Sequence, residues 1–274
     1  MSIVYYLDFP CEVKEQVKPG RMLRLLYARE RANEAINRAR KADPEVKPEK
    51  VKVDLTIKGE DRTGQLKVTN AAEIQKQYAE LESLAGHCKD CRARIEPQSF
   101  GCRGRIEFPI SLKAEALLMA RVHASHGDPT GSMLCNYFES NGITGNRTAE
   151  MRKLKDVFFE GTMPLVRRLD DGRRISSNQV FELFFLTDKV SDKHARFLLG
   201  MFDLYEPNLP LDRGLHSLPN LFVIEREESG LPVSRVGLRL HASKDDDRST
   251  RQLQNFFGAL LFATEYRCDL WVKL

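Results

Sequence analysis

The chain has 274 residues, of which 42% are hydrophobic and 30% are charged, and its formal net charge is +4. This balance is typical of a folded globular protein and excludes a disordered or low-complexity chain. The sequence lacks both the run of about 20 apolar residues that a membrane-spanning helix needs and the pattern of a secretory signal, so we expect a cytoplasmic protein without a membrane partner.

The residue composition and the spacing of apolar residues predict the elements of the N-terminal part. They are, in chain order, a strand at 3–9, a helix at 21–40, strands at 51–57 and 63–68, and a helix at 71–85. Asn70 is a good N-cap for the second helix, because its side chain can accept a hydrogen bond from a free backbone N–H.

A cysteine-rich segment at 87–110 follows and ends in a short strand. Helical spacing then predicts helices at 112–124, 132–139, 149–160, 177–186 and 191–205. The C-terminal part changes character, with strands at 221–225 and 233–240, an amphipathic helix at 248–266 and a strand at 268–274.

This order of elements predicts an α+β fold. We expect one mixed or antiparallel sheet built from the N-terminal and C-terminal strands, with a helical middle that carries a cysteine-rich, zinc-knuckle-like loop. The expected organisation is a single compact domain over residues 1–274, with 86–110 as the metal-binding loop. Two lobes, 1–110 and 111–274, are the alternative.

Three of the six cysteines, Cys88, Cys91 and Cys102, lie close together in the sequence. In a cytosolic chain such clustering indicates a metal more often than a disulfide. A Cys-x2-Cys turn can present two thiolates to one tetrahedral ion, and the glycines flanking Cys102 suit the tight turns of a knuckle. The sequence therefore predicts a structural Zn²⁺ ion, with reduced cysteines or a disulfide between Cys91 and Cys102 as the alternative.

A closed zinc site needs a fourth ligand, and the residues leave its identity open. The candidates are His123 or His126, Cys135, His87 and water. His123 and His126 also lie beside Asp128, and two imidazoles with a carboxylate are ligands that a hydrolytic metal centre uses. The alternative for both histidines is a position at the end of a helix, where a positive charge meets the negative end of the dipole.

Arginines are concentrated in three parts of the sequence. The helix at 21–40 carries Arg21, Arg24, Arg31 and Arg38, the cysteine segment carries Arg103 and Arg105, and a third group comprises Arg167, Arg168, Arg173 and Arg174. Arginines that share a face can bind the phosphates of a nucleic acid. The alternative is a solvated surface with ion pairs, because 39 acidic residues offset the 43 basic ones.

The leading hypothesis is a zinc-stabilised, non-enzymatic binding or scaffold protein that acts with a protein partner as a subunit of a prokaryotic-type cytoplasmic assembly. The second hypothesis is a nucleic-acid-binding protein that uses the arginine-rich helix and the basic knuckle. The third is a metal-dependent hydrolase centred on His123, His126 and Asp128. No nucleophile or P-loop signature names a reaction, so an enzyme is not favoured.

Overall fold

A computed structural model describes residues 2–58, 64–89, 91–95, 99–122, 129–186, 188–204 and 243–273. The strands in these ranges are β1 (Ser2–Leu7), β2 (Lys52–Lys58), β3 (Gly64–Asn70), β4 (Arg103–Glu107), β5 (Val166–Arg168), β6 (Arg174–Ser176), β7 (Lys189–Val190) and β8 (Leu270–Lys273). The α-helices there are α1 (Glu12–Gln16), α2 (Pro19–Ala42), α3 (Ala71–Glu82), α4 (Leu112–Ala120), α5 (Thr130–Ser140), α6 (Asn146–Arg152), α7 (Ser177–Phe185), α8 (Asp192–Met201) and α9 (Arg248–Glu265). Helices combined with antiparallel strands confirm the predicted α+β class.

The chain divides into two compact units. The first comprises Met1–Phe9 and Cys91–Leu274, and the second comprises Pro10–Asp90. Among the described helices of both units, none is long and apolar enough to cross a bilayer.

The first unit contains a four-stranded antiparallel sheet with the order β4-β1-β8-β7. The N-terminal and C-terminal strands are therefore neighbours at its centre. Alternate residues of β1 point to opposite faces, and Ile3, Tyr5 and Leu7 are buried on the inner face. There the Tyr5 ring meets Phe256 of α9 edge to face, with the ring centroids 5.0 Å apart.

Gly104 of β4 allows this packing, because it lies directly opposite Tyr5 in the sheet. A Cβ atom at this position would lie 2.4 Å from atoms of the Tyr5 ring. Glycine is therefore required by the close approach of an aromatic side chain.

A buried ion pair joins α4 and α6 of the first unit. Arg152, the last residue of α6, meets Glu115 of α4, and the side chains are 3% and 0% exposed. Arg152 also donates to Asn178 Oδ1 at 2.6 Å and to the carbonyl oxygen of Gly161 at 2.8 Å. Its guanidinium lies 4.1 Å from the centroid of the Phe159 ring. The pair therefore fixes α4, α6, α7 and the segment that follows α6.

The helix predicted at 149–160 is wrong in extent, because α6 ends at Arg152. The chain beyond it adopts a β-like path, in which Ile110 N donates to Phe158 O at 2.8 Å and Glu160 N donates to Ile110 O at 3.0 Å. These bonds and the burial of Phe158 and Phe159 override the helical pattern of the sequence. The sequence pattern did not predict β5, β6 or β7.

The second unit packs α2 and α3 against the β2–β3 hairpin. Ala28, Ala32 and Ile36 of α2 meet a core formed by Val51, Val53, Leu55, Ala71 and Ile74. The predicted cap is confirmed, because Asn70 Oδ1 accepts from Glu73 N at 2.8 Å. The other predicted strands, at 221–225 and 233–240, lie outside the described residues.

Candidate nucleic-acid interface

An arginine-bearing hairpin, formed by β5 and β6, lies in the first unit. Leu169 N donates to Arg173 O at 2.9 Å, and Gly172 N donates to Leu169 O at 3.0 Å. Gly172 has a φ of 85°, in the left-handed region that glycine adopts without strain. A turn followed by a left-handed glycine is a common three-residue hairpin connection, and it fixes the register of the two strands.

The turn of the hairpin is attached to α5 through side chains. Asp171 Oδ2 accepts from Ser132 Oγ at 2.7 Å and from Arg173 Nε at 2.8 Å. Arg173 Nη1 in turn donates to Asn136 Oδ1 at 2.5 Å. The hydrogen bonds from Arg173 and Ser132 hold the pKa of Asp171 well below its usual range, so this carboxylate stays ionised and bound to these partners.

The base of the hairpin is attached to the buried ion pair. Leu165 N, just before β5, donates to Glu115 Oε1 at 3.3 Å and to Ser177 Oγ at 3.0 Å. Ser177 N donates to Leu165 O at 2.8 Å, and Ile175 of β6 is fully buried. The hairpin is therefore anchored at both ends rather than carried on a loose loop.

Arg168 and Arg174 lie directly opposite each other in this hairpin. Leu169 N donates to Arg173 O, one pair beyond Arg168 and Arg174, and Ser177 N donates to Leu165 O, three pairs before them. Alternation along the ladder makes Arg168 and Arg174 a pair without mutual backbone bonds, for which the Cα atoms are about 4.5 Å apart. Two like charges therefore occupy the closer kind of cross-strand position.

The side chains of Arg167, Arg168 and Arg174 are exposed. Within the part of the chain that the structure describes, none of the three forms an ion pair or a hydrogen bond through its guanidinium. The turn carries two acidic residues, of which Asp171 is engaged by Arg173 and Ser132, and Asp170 also has a partner of its own. The guanidinium groups of Arg167, Arg168 and Arg174 are therefore not ion-paired within the described residues.

In the second unit, three of the predicted arginines follow one face of α2. Arg24, Arg31 and Arg38 are exposed and seven residues apart, which places successive members about 10.5 Å along the helix and nearly in line. Arg24 Nε donates to Gly20 O at 3.2 Å, and Arg31 pairs with Glu34 at 3.1 Å. Arg21 lies off this line and pairs with Glu80 at 2.6 Å.

The two predicted arginines of the cysteine segment, Arg103 and Arg105, lie on β4. Side chains alternate between the two faces along a strand, and the neighbours Gly104 and Ile106 are buried on the inner face. Arg103 and Arg105 therefore lie on the outer face of the four-stranded sheet. Arg105 Nε forms an ion pair with Glu107 at 3.0 Å.

The three cysteines of the predicted zinc site belong to two different units. Cys88 ends a short 3-10 helix (Ala85–Cys88) in the second unit, whereas Cys91 and Cys102 belong to the first unit. All six cysteines are thiols rather than disulfides. Among the described residues no group of three or more potential ligands is positioned to hold a metal ion. The zinc site therefore stays a prediction.

Other candidate metal ligands are the buried thiol of Cys135 and two histidines that lie outside the described residues. Cys135 lies on α5, where burial raises the pKa of its thiol despite the nearby charge of Arg173. His123, His126 and Asp128 lie outside the described residues, so the hydrolase hypothesis is untested.

Arg167, Arg168, Arg173 and Arg174 were predicted as one group, but the hairpin that orients them was not predicted. The signal was the Asp-Asp-Gly turn between two short arginine-bearing segments, a pattern that favours a hairpin connection. Comparison with models of known protein families, with curated proteins and with solved structures found no match to this chain.

Proposed function

We propose that this protein binds nucleic acid, and that Arg168 and Arg174 of the β5–β6 hairpin contact its phosphates. The observation that carries the proposal is the direct opposition of these two exposed arginines without an acidic partner among the described residues. Like charges placed opposite each other destabilise a sheet by up to about 1 kcal/mol. A phosphate bound between them would remove that repulsion.

Arginine suits this role better than lysine. Its planar guanidinium can donate two parallel hydrogen bonds to one phosphate, and it is weakly hydrated compared with an ammonium group. The anchoring of the hairpin through Asp171 and Leu165 adds to this, since side chains on a held backbone lose less freedom on binding.

The line of arginines on α2 supports the same function in the second unit. A row of positive charges along one exposed helix face matches the repeating negative charge of a nucleic-acid backbone. The net charge of +4 is modest for such a protein. We therefore expect local contacts and moderate affinity rather than strong attraction by the whole surface.

The test is the dissociation constant for labelled RNA and DNA oligonucleotides, measured by fluorescence anisotropy at about 50 and about 200 mM salt. The double variant Arg168→Ala/Arg174→Ala should bind more weakly. The slope of log Kd against log salt concentration should decrease by about 1.4, because each lost phosphate contact to a single strand removes about 0.7 from the slope. Arg168→Lys/Arg174→Lys keeps the charges and should retain most of the salt dependence.

The matched control is Lys47→Ala/Lys50→Ala, which removes two exposed positive charges from the second unit. This variant should bind like the unmodified chain. Equal losses in the control and in the arginine variant would show that only total charge matters, and the hairpin would lose its assigned role. If the unmodified chain does not bind at low salt, the proposal is wrong, and the scaffold hypothesis becomes the one to test.

A further inference from the structure

A row of four side chains crosses the outer face of the sheet in the first unit. Arg103 on β4 is paired with Tyr6 on β1, Tyr6 with Trp271 on β8, and Trp271 with Lys189 on β7. Directly paired residues of antiparallel strands share a face, so the row runs from one edge of the sheet to the other. Two aromatic rings occupy its centre, and a positively charged residue stands at each end.

The rings of Tyr6 and Trp271 are neighbours and nearly parallel to each other. The ring planes of Tyr6 and Trp271 are 7° apart and their centroids are separated by 6.3 Å. Both side chains are half-buried, whereas the residues next to them in the strands, such as Tyr5 and Leu270, are fully buried on the inner face. The aromatic pair therefore lies on the side of the sheet away from the core that α9 covers.

Neighbouring polar groups hold this surface in place. Lys189 Nζ lies 5.2 Å from the centroid of the Trp271 ring and pairs with Asp269 at 2.6 Å. Asp8 Oδ2 accepts from the indole Nε1 of Trp271 at 3.4 Å. These carboxylates restrain the indole and the ammonium group, and a carboxylate can also accept from the amino group of a base.

We infer that this face stacks two bases of a single-stranded nucleic acid on Tyr6 and Trp271, with Arg103 and Lys189 placed for the flanking phosphates. The inference rests on the proposed function and narrows it to single strands. Aromatic side chains on the outer face of a four-stranded sheet can stack two or three bases. Stacking does not depend on sequence, because every base has a π face, and it needs bases that are not already stacked in a duplex.

A structural role alone explains the row less well. Large aromatic residues add most to stability when they are packed in the core, and here the core face of the same strands is already filled by Tyr5, Leu7 and Leu270. Two adjacent rings with a cation at each end instead suit two neighbouring bases of a single strand and the phosphates on either side of them.

Trp271 is the one tryptophan of the chain, so its fluorescence reports directly on this face. We expect a short single-stranded oligouridylate to quench Trp271 emission as it binds, and a duplex of equal length to leave that emission unchanged. Tyr6→Leu/Trp271→Leu keeps apolar bulk but removes both π faces, and it should weaken single-strand binding roughly tenfold. Tyr6→Phe/Trp271→Phe keeps the rings and should bind within about twofold of the unmodified chain by anisotropy.

The outcomes separate this inference from the proposed function. Single-strand binding that leaves Trp271 emission unchanged, together with normal affinity of the leucine variant, would overturn the stacking role and leave the proposed function standing. Quenching that survives in Arg168→Ala/Arg174→Ala with normal affinity would support the stacking face and overturn the role of the hairpin. An absence of any binding by the unmodified chain would overturn both. Circular dichroism of the leucine variant shows whether its sheet is intact.

Discussion

The guanidinium of Arg152 donates to both carboxylate oxygens of Glu115, and both side chains are buried. The other donors of this guanidinium go to Asn178, Gly161 and Ser177, so all five N–H groups have acceptors. Glu115 in turn accepts from Ser177 Oγ and from Leu165 N. Buried charges are tolerated when they are paired and fully hydrogen-bonded, and this pair meets both conditions.

Removal of one partner of this pair should destabilise the fold strongly. Arg152→Met leaves the Glu115 carboxylate buried without its counter-charge, and we expect the free energy of unfolding to fall by about 3–5 kcal/mol. Urea denaturation measures this loss. The double variant Glu115→Met/Arg152→Met should lose less than the single variant, because no isolated charge remains.

The control for this prediction is the exposed pair between Glu150 and Lys153, which are each 68% exposed. Lys153→Ala should change the unfolding free energy by less than about 0.5 kcal/mol. A loss in Arg152→Met as small as that of the control would contradict the role given to the buried pair.

The second prediction concerns Gly172 in the turn between β5 and β6. Gly172→Ala places a Cβ atom on a residue with a φ of 85°, and we expect a loss of about 1–2 kcal/mol in the unfolding free energy. Gly200→Ala is the matched control, because Gly200 lies in α8 and an added Cβ there would meet no described atom within 4 Å other than its chain neighbours and the nearby backbone of its own helix. That substitution should be neutral or stabilising by up to about 1 kcal/mol. Equal effects of the two substitutions would argue against a turn that requires glycine.

The sequence predicted the elements whose signal is local. Enrichment in β-branched and aromatic residues identified β1, apolar alternation identified β8, and the amphipathic pattern at 248–266 identified α9. The hairpin was missed because its strands have only three residues each and all three residues of β5 are exposed, so there was no alternation to read. Tyr6 and Trp271 were missed as a pair because they lie at opposite ends of the chain, and strand pairing alone brings them together.

The close approach of Gly104 and Tyr5 makes a third prediction. Gly104→Ala would place a methyl group 2.4 Å from the Tyr5 ring, and overpacking of this kind costs about 1–3 kcal/mol. Thermal or urea unfolding measures the loss. Combining Gly104→Ala with Tyr5→Leu removes the obstructing ring, so the double variant should lose less than the sum of the two single variants. Strict additivity would show that the two positions are not in contact.

His194 makes stability depend on pH. Its Nε2 lies 2.8 Å from Tyr137 Oη, and burial lowers the pKa of the imidazole below its ordinary value. The unfolded chain then takes up a proton at about pH 6.5 that the folded chain does not bind, so stability falls as pH decreases below that value. The fall cannot exceed about 1.4 kcal/mol per pH unit, the limit for one proton.

The measurement is the unfolding free energy between about pH 7.5 and about pH 5.5, the range in which His titrates. His194→Gln should lose most of the slope. Tyr137→Phe removes the hydrogen bond but leaves the ring buried, and it should keep the slope because burial is the cause. A slope that persists in His194→Gln would assign the pH dependence to other groups.

The predicted zinc site is tested by metal content and by its effect on stability. If Cys88, Cys91 and Cys102 bind a structural ion, the purified protein should contain about one equivalent of zinc, and a chelator should lower its melting temperature. Cys91→Ser/Cys102→Ser should lose the metal, because serine is a poor zinc ligand at neutral pH. Cys268→Ser is the control, since Cys268 is buried just before β8 and is not a predicted ligand. Metal-free protein with an unchanged melting temperature would contradict the zinc prediction and leave the binding surfaces of the hairpin and the sheet unaffected.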